Sequence, residues 1–149
     1  MAPNLSVLAI PVYYILTLYP HQAALATILA ANNKKWNNAN PKSTSWDATL
    51  RASIPADIYA RYERCEAAHR NGMENLPLFI GAVVLGNMAR LSTTALNAFA
   101  MGYLLLRGVY RVLYMRTTSV KRSYWRTAVW SVGTAWALGV VCWAGFALA

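Results

Sequence analysis

From Leu5 to Ala31 no residue is charged at neutral pH when His21 is neutral, and from Thr127 to Ala149 there is no charge at all. Both stretches are rich in apolar and aromatic side chains. About 20 such residues cross the hydrocarbon of a bilayer as a helix. Inside lipid no water serves the backbone N–H and C=O groups, so a crossing segment must satisfy them internally. Pro11 and Pro20 would break a soluble helix. In a membrane bundle they are tolerated as kinks, because neighbouring helices satisfy the freed carbonyls. The first span is therefore expected over Leu5 to about Ala31, and the last over Thr127–Ala149.

Composition sharpens this reading. The chain has 149 residues, enough for one domain over 1–149, with 57% hydrophobic and 13% charged residues and a net charge of +9. A soluble domain carries about 25% charged residues. A basic excess also fits a nucleic-acid binder, but that needs basic residues spread over a soluble face. The long uncharged stretches exclude it. Cys65 and Cys142 are too few for a disulfide framework and show no metal spacing. The segment Met1–Leu5 has no basic n-region, and the apolar run behind it outlasts a signal-peptide core, so the first span is expected to be retained.

Between the ends lie two more helices. Asn32 to about Ile54, with Lys34, Lys35, Asn40-Pro41 and Lys42, reads as a loop. Pro55-Ala56-Asp57 reads as a helix start, with proline in the first turn and an acid at the positive dipole end. The second helix is expected over Pro55–Met88, charged to Glu74 and uncharged from Leu76, with a kink at Pro77. Arg90–Thr94 is a polar break. A third helix opens at Ala95 and closes through Arg107, Tyr110, Arg111 and Tyr114. Met115–Lys121 is a short basic loop. The expected fold class is thus all-α: a four-transmembrane-helix bundle.

Loop charge sets an orientation. Lys34, Lys35, Lys42 and Arg51 lie in the first loop and Arg116, Lys121 and Arg122 in the third, whereas the second holds Arg90 alone. The positive-inside rule makes the first and third loops cytosolic and both termini lumenal.

The second helix carries the densest chemistry. At roughly 100° per residue, Glu63, Arg70 and Glu74 fall within about 40° of one another, with Arg64 and Asn71 on the adjacent face. Charges entering a membrane are costly unless paired and mark a site by default. The plainer reading is an Arg70–Glu74 pair at i, i+4 that holds the bundle. That helix also exposes more polar surface than one four-helix subunit can satisfy, which favours a polar subunit interface. On the third helix Tyr103, Arg107, Tyr110, Arg111 and Tyr114 form a second stripe. Taken alone, it reads as headgroup-level anchoring. Arg122-Ser123 opens the last helix at the same mouth, where the helix dipole adds to the positive field. His69, off both stripes, reads as an interfacial or packing histidine rather than a base, and His21 has no partner visible in the sequence. No serine triad, zinc motif or phosphate-cradling glycine loop appears.

Glu63-Arg64, Ala68-His69-Arg70-Asn71-Gly72-Met73-Glu74 and Pro77-Leu78-Phe79 together resemble the signature of the membrane-associated proteins in eicosanoid and glutathione metabolism, the MAPEG family. The likeness is greatest to its microsomal glutathione transferase and prostaglandin E synthase branches. The Lys34-Lys35 to Asn40-Pro41 loop and the pattern Arg107, Tyr110, Tyr114, Arg122-Ser123 are similar too. The resemblance implies a homotrimer in the endoplasmic reticulum bilayer, with glutathione bound between subunits and a lipophilic substrate. It assigns Arg70, Asn71, Glu74, Tyr110 and Tyr114 to glutathione, with Arg64, Arg107 and Arg126 as further binding candidates. Arg122 stabilises the thiolate, with Ser123 beside it as the second catalytic candidate. The sequence departs from the family pattern at Ala67, Asn32 and Asn33, where relatives often carry arginine. Arg126 and Tyr110 stand where prostaglandin E synthase has tyrosine and histidine. The family also has a non-catalytic lipid-binding branch, the five-lipoxygenase-activating protein.

Overall fold

The structure is a computed structural model that describes residues 3–149. Met1 and Ala2, with which the retained-leader reading begins, lie outside the described residues. Five helices follow in chain order: α1 Ala9–Ala31, α2 Thr44–Ser53, α3 Ala56–Met88, α4 Thr93–Arg116 and α5 Val120–Leu148. There is no strand among the described residues.

One element departs from the expectation. The stretch Asn32–Ile54 is not all loop, because α2 forms within it. Ser43 caps it by accepting from the Trp46 N–H at 3.3 Å, and Asp47 sits in its first turn. Both are ordinary helix-start devices. The helix forms because its few apolar groups have somewhere to go. Leu50 is buried, and with Ile54 it joins Ile28 of α1 and Tyr59 of α3 in a small separate core. Tyr59 donates to the Asp47 carboxylate at 2.8 Å. Burial first, then that carboxylate, push the Tyr59 phenol up to about 12, so it stays a donor across the physiological range. The last helix also begins earlier than the uncharged stretch. Its first turns carry Lys121, Arg122 and Arg126, since charged residues are compatible with a helix that has not yet entered lipid.

α3 is the hub and packs against each of the other four helices. It runs unbroken through Pro77, and α1 through Pro20. An aromatic stack fills the main core: Phe79 and Tyr103 lie parallel at 4.7 Å, Tyr13 is 5.2 Å from Phe79, and Phe99 meets Trp136 at 5.7 Å. Helices approach closely where glycine allows. A Cβ on Gly72 would meet Thr17 Cγ2 at 2.8 Å, and one on Gly102 would meet the Trp136 ring at 2.5 Å.

The outside of the bundle is apolar. Leu8 just before α1, Val12 and Ile15 on it, Met101, Leu105 and Val109 on α4, and Val132, Leu138 and Phe146 on α5 are all exposed. By length and composition α5, with a mean hydropathy of 1.6, is a membrane-span candidate. Cys65 is buried and Cys142 exposed, and both are free thiols.

Because α1 and α3 touch through the bare Cα of Gly72, Gly72→Ala should cost about 1–3 kcal/mol by overpacking. Thr17→Ser removes the methyl that clashes and keeps the hydroxyl. The double variant should recover part of the loss, read as the unfolding midpoint in detergent.

Candidate functional site

The helix-2 motif places its side chains on two different faces of α3. Asn71 turns inward. Arg107, on α4 and 3% exposed, donates through Nη2 to the Asn71 side-chain oxygen at 2.7 Å and to its carbonyl at 3.3 Å. Asn75 donates to the same carbonyl at 2.8 Å. The Arg107 guanidinium lies 4.6 Å from the Tyr110 ring centroid. The Tyr110 and Tyr114 rings meet edge to face at 5.6 Å, and the Arg126 guanidinium stands 4.0 Å over Tyr114. Asn71, Arg107, Tyr110, Tyr114 and Arg126 thus form one continuous ladder across α3, α4 and α5. Each desolvated cation–ring step is worth about 2 kcal/mol, and an exposed one about 0.5–1. The ladder is amphoteric in what it offers: cations, ring faces and phenol groups.

The burial of Arg107 and Arg111 overturns the anchoring interpretation of the α4 stripe. Arg111 is 8% exposed, and it donates to the carbonyl of Arg107 at 3.2 Å and to that of Leu16. These guanidinia point into the bundle rather than out to the headgroups.

The other candidates lie elsewhere. Arg70 and Glu74 are exposed, and they are not paired with each other. The one ion pair among the described residues is His21–Glu66 at 2.6 Å. So the i, i+4 pair expected on α3 does not form. The exposed positions Glu63, Arg70, Glu74, Pro77, Val84 and Met88 recur at spacings of three, four and seven, forming one outward stripe down α3. Arg70 and Glu63 also border a cavity of about 410 Å³ with Lys42, Asp47 and Tyr62. Arg64 donates to the Met115 carbonyl at 3.3 Å and so ties α3 to the end of α4. Arg122 is exposed and borders a different hollow with Arg116 and Trp125. Ser123 donates to the Val120 carbonyl at 2.7 Å within its own helix turn.

Two contributions were invisible to sequence reasoning. Tyr13 donates to the Gly72 carbonyl at 3.0 Å and lies with its ring 6.0 Å from the Arg107 guanidinium. His21 finds Glu66, and its ring lies 5.1 Å from that of His69. His69 itself bonds the Thr17 carbonyl at 2.7 Å, a packing role as expected. No local pattern marks a contact between residues this far apart in the chain. Among the described residues no group of three or more His, Cys, Asp or Glu side chains is placed to hold a metal ion.

The MAPEG family model matches residues 5–147. The chain belongs to the MAPEG family. No curated protein and no solved structure matches it. As a MAPEG protein it is membrane-associated, and its apolar exterior and the α5 span candidate agree.

If Asn71 is what holds Arg107 inside this MAPEG protein, Asn71→Ala should cost about 1.5–3 kcal/mol, the range for hydrogen bonds to charged groups. Asn71→Asp, which keeps the acceptor and adds a counter-charge, should retain most of the stability. Unfolding midpoints of the two variants in detergent decide it.

Proposed function

We propose that this MAPEG protein is a glutathione-dependent transferase or peroxidase acting on lipophilic electrophiles or lipid hydroperoxides. It works as a homotrimer of four-span subunits in the endoplasmic reticulum, with its site facing the cytosol and both termini lumenal. The carrying observation is the ladder from Asn71 and Arg107 through Tyr110 and Tyr114 to Arg126. The donor set fits the tripeptide. Its two carboxylates call for arginines such as Arg70 and Arg126, and its amino group for a carboxylate such as Glu74. Tyr110 and Tyr114 offer ring edges and hydroxyls beside them. α1, α3, α4 and α5, of 23, 33, 24 and 29 residues, have the length to cross.

The outward stripe on α3 supports the trimer. Arg70 and Glu74 are charged, exposed and unpaired within one chain. On a helix in lipid such charges need a protein neighbour. A neighbouring subunit supplies one, and the same face then becomes a binding site between subunits. A measured mass in detergent of one subunit would count against this assembly.

When bound, glutathione supplies the thiol nucleophile. A fixed cation favours the thiolate, which is the reactive form. Arg122 and Arg126 are the candidates, one helical turn apart. We assign the thiolate to Arg122, with Ser123 beside it, and the carboxylate contacts to Arg126 and the α3 residues. Arg64 and Arg107 hold the frame through Met115 and Asn71.

A second reading keeps the fold and drops the chemistry: a lipid-binding scaffold. It is favoured by the position of Arg122, which lies apart from the ladder within one chain. Calorimetry with glutathione separates the two. No binding at millimolar glutathione would leave the scaffold standing.

Under the enzymatic reading Arg122→Ala should fold and assemble normally, bind glutathione somewhat less well, and lose roughly 10²–10³ in turnover, the usual worth of one electrostatic stabiliser. Arg122→Lys should retain part of it, because charge survives without the planar fork. If Arg126→Ala abolishes turnover while Arg122→Ala does not, the thiolate sits deeper along α5 and the assignment of Arg122 fails.

A further inference from the structure

Two imidazoles and one carboxylate meet where α1 packs on α3. His21 Nδ1 donates to the Glu66 carboxylate at 2.6 Å, and the His21 and His69 rings lie 5.1 Å apart. His69 Nδ1 donates to the Thr17 carbonyl at 2.7 Å. A carbonyl only accepts, so that bond fixes the His69 ring in either charge state. Both rings and Glu66 line a hollow of about 260 Å³.

Residues 32–43, which join α1 to α2, wall this hollow through Trp36, Asn38, Pro41 and Lys42. This strap leaves α1 through Asn33 and Lys34, both left-handed at φ 50° and 61°, a conformation costly to a lysine. Such backbone persists only where its surroundings hold it. Trp36 is one hold, meeting Trp46 edge to face at 6.1 Å beside the small core around Leu50. Lys42 is the other. With Pro41, Tyr62 and Glu66 it also lines the larger hollow that Arg70 borders, so the strap is a wall shared by two hollows.

The charges in the smaller hollow balance only while its imidazoles are neutral. Glu66 and Lys42 then cancel. An imidazole gains its charge between about pH 8 and pH 5. Glu66 answers the first proton directly. The second leaves three cations, His21, His69 and Lys42, facing one carboxylate. No other acid lines this hollow. Beyond the shared wall stand Asp47, Glu63 and Arg70, and Asp47 already accepts from Tyr59. Burial first, then Glu66, push the Tyr62 phenol up, so it stays neutral. Like charges this close disfavour one another. The two rings are carried by packed helices, whereas Lys42 is exposed and lies outside any helix. Lys42 is therefore the cation that moves.

We infer that the strap 32–43 is a pH-sensitive closure, shut over His21, Glu66 and His69 until both imidazoles are charged and released when they are. The open form accepts the second proton more readily than the shut form, so falling pH favours opening. Release exposes both hollows at once. None of this rests on glutathione chemistry, so either reading can fail alone.

The test is hydrogen exchange on the full chain in a mild non-ionic detergent, read by mass spectrometry at both ends of the imidazole range and corrected for the intrinsic pH dependence of exchange. Strap amides should lose protection at the acid end, while α3 amides beyond Pro77 keep theirs. His69→Gln, which can still donate to the Thr17 carbonyl but carries no second charge, should keep the strap protected throughout. Lys42→Gln should shrink the response. Equal strap protection at both ends in the parent, or a loss that survives His69→Gln, overturns the closure. A loss shared by the α3 amides marks general acid unfolding and overturns it too. Should His69→Gln fail to fold, Lys42→Gln decides, and an undiminished response in it rejects the closure.

Discussion

Everything in this bundle is arranged around keeping Arg107 inside. Burying a charge is costly unless it is hydrogen-bonded or paired. α4 can hold Arg107 only if that side chain faces protein and finds acceptors there. Asn71 provides both its amide oxygen and its carbonyl, at 2.7 and 3.3 Å. That bond fixes α4 against α3 in register and rotation together. The next residue, Gly72, lets α1 close on the other side, and Tyr13 returns from α1 to bond the Gly72 carbonyl. Three helices therefore meet at two consecutive residues. A bulky residue at 72 or an apolar one at 71 disturbs these contacts.

The same constraint sorts the molecule along its long axis. Polar groups collect at the end where α2 packs: His21 on Glu66, Tyr59 on Asp47, Arg64 on the end of α4. Beyond Phe79 the core is aromatic and aliphatic, and α5 carries no charge after Arg126. The ladder of Arg107, Tyr110, Tyr114 and Arg126 lies where these two regimes join. Rings serve that junction well, since their faces accept a cation and their edges pack against apolar neighbours.

Much of this was legible beforehand, because long uncharged stretches and helix-start residues act locally. The boundaries near Ala31, Met88 and Arg116 follow from where Asn, Arg and Thr interrupt apolar runs. α2 escaped because its helical signals, Ser43 and Asp47, sit in a polar stretch whose only apolar anchors are Leu50 and Ile54. Periodicity brought Arg107, Tyr110 and Tyr114 onto one face but left open whether that face looks outward to headgroups or inward to α3. Only the position of Asn71 answers that, and it lies 36 residues away. Tyr13 and the His21–Glu66 pair were illegible for the same reason: each contact spans a distance in sequence that no local pattern encodes. Family membership is legible because its motif residues cluster on one helix. The chemistry is less so, because the residues of that motif divide between two faces.

That division carries the functional argument. Asn71 is spent within the chain, on Arg107, whereas Arg70 and Glu74 are exposed and in no ion pair among the described residues. On α5 the same split recurs. Arg126 reaches back to Tyr114, while Arg122, one turn earlier, stays at the surface beside Trp125. A side chain that satisfies itself inside one chain builds the frame. Arg70, Glu74 and Arg122 are charged side chains of both signs left exposed by the fold. The inward residues fix the helices that present them, so loss of an inward residue acts first on folding.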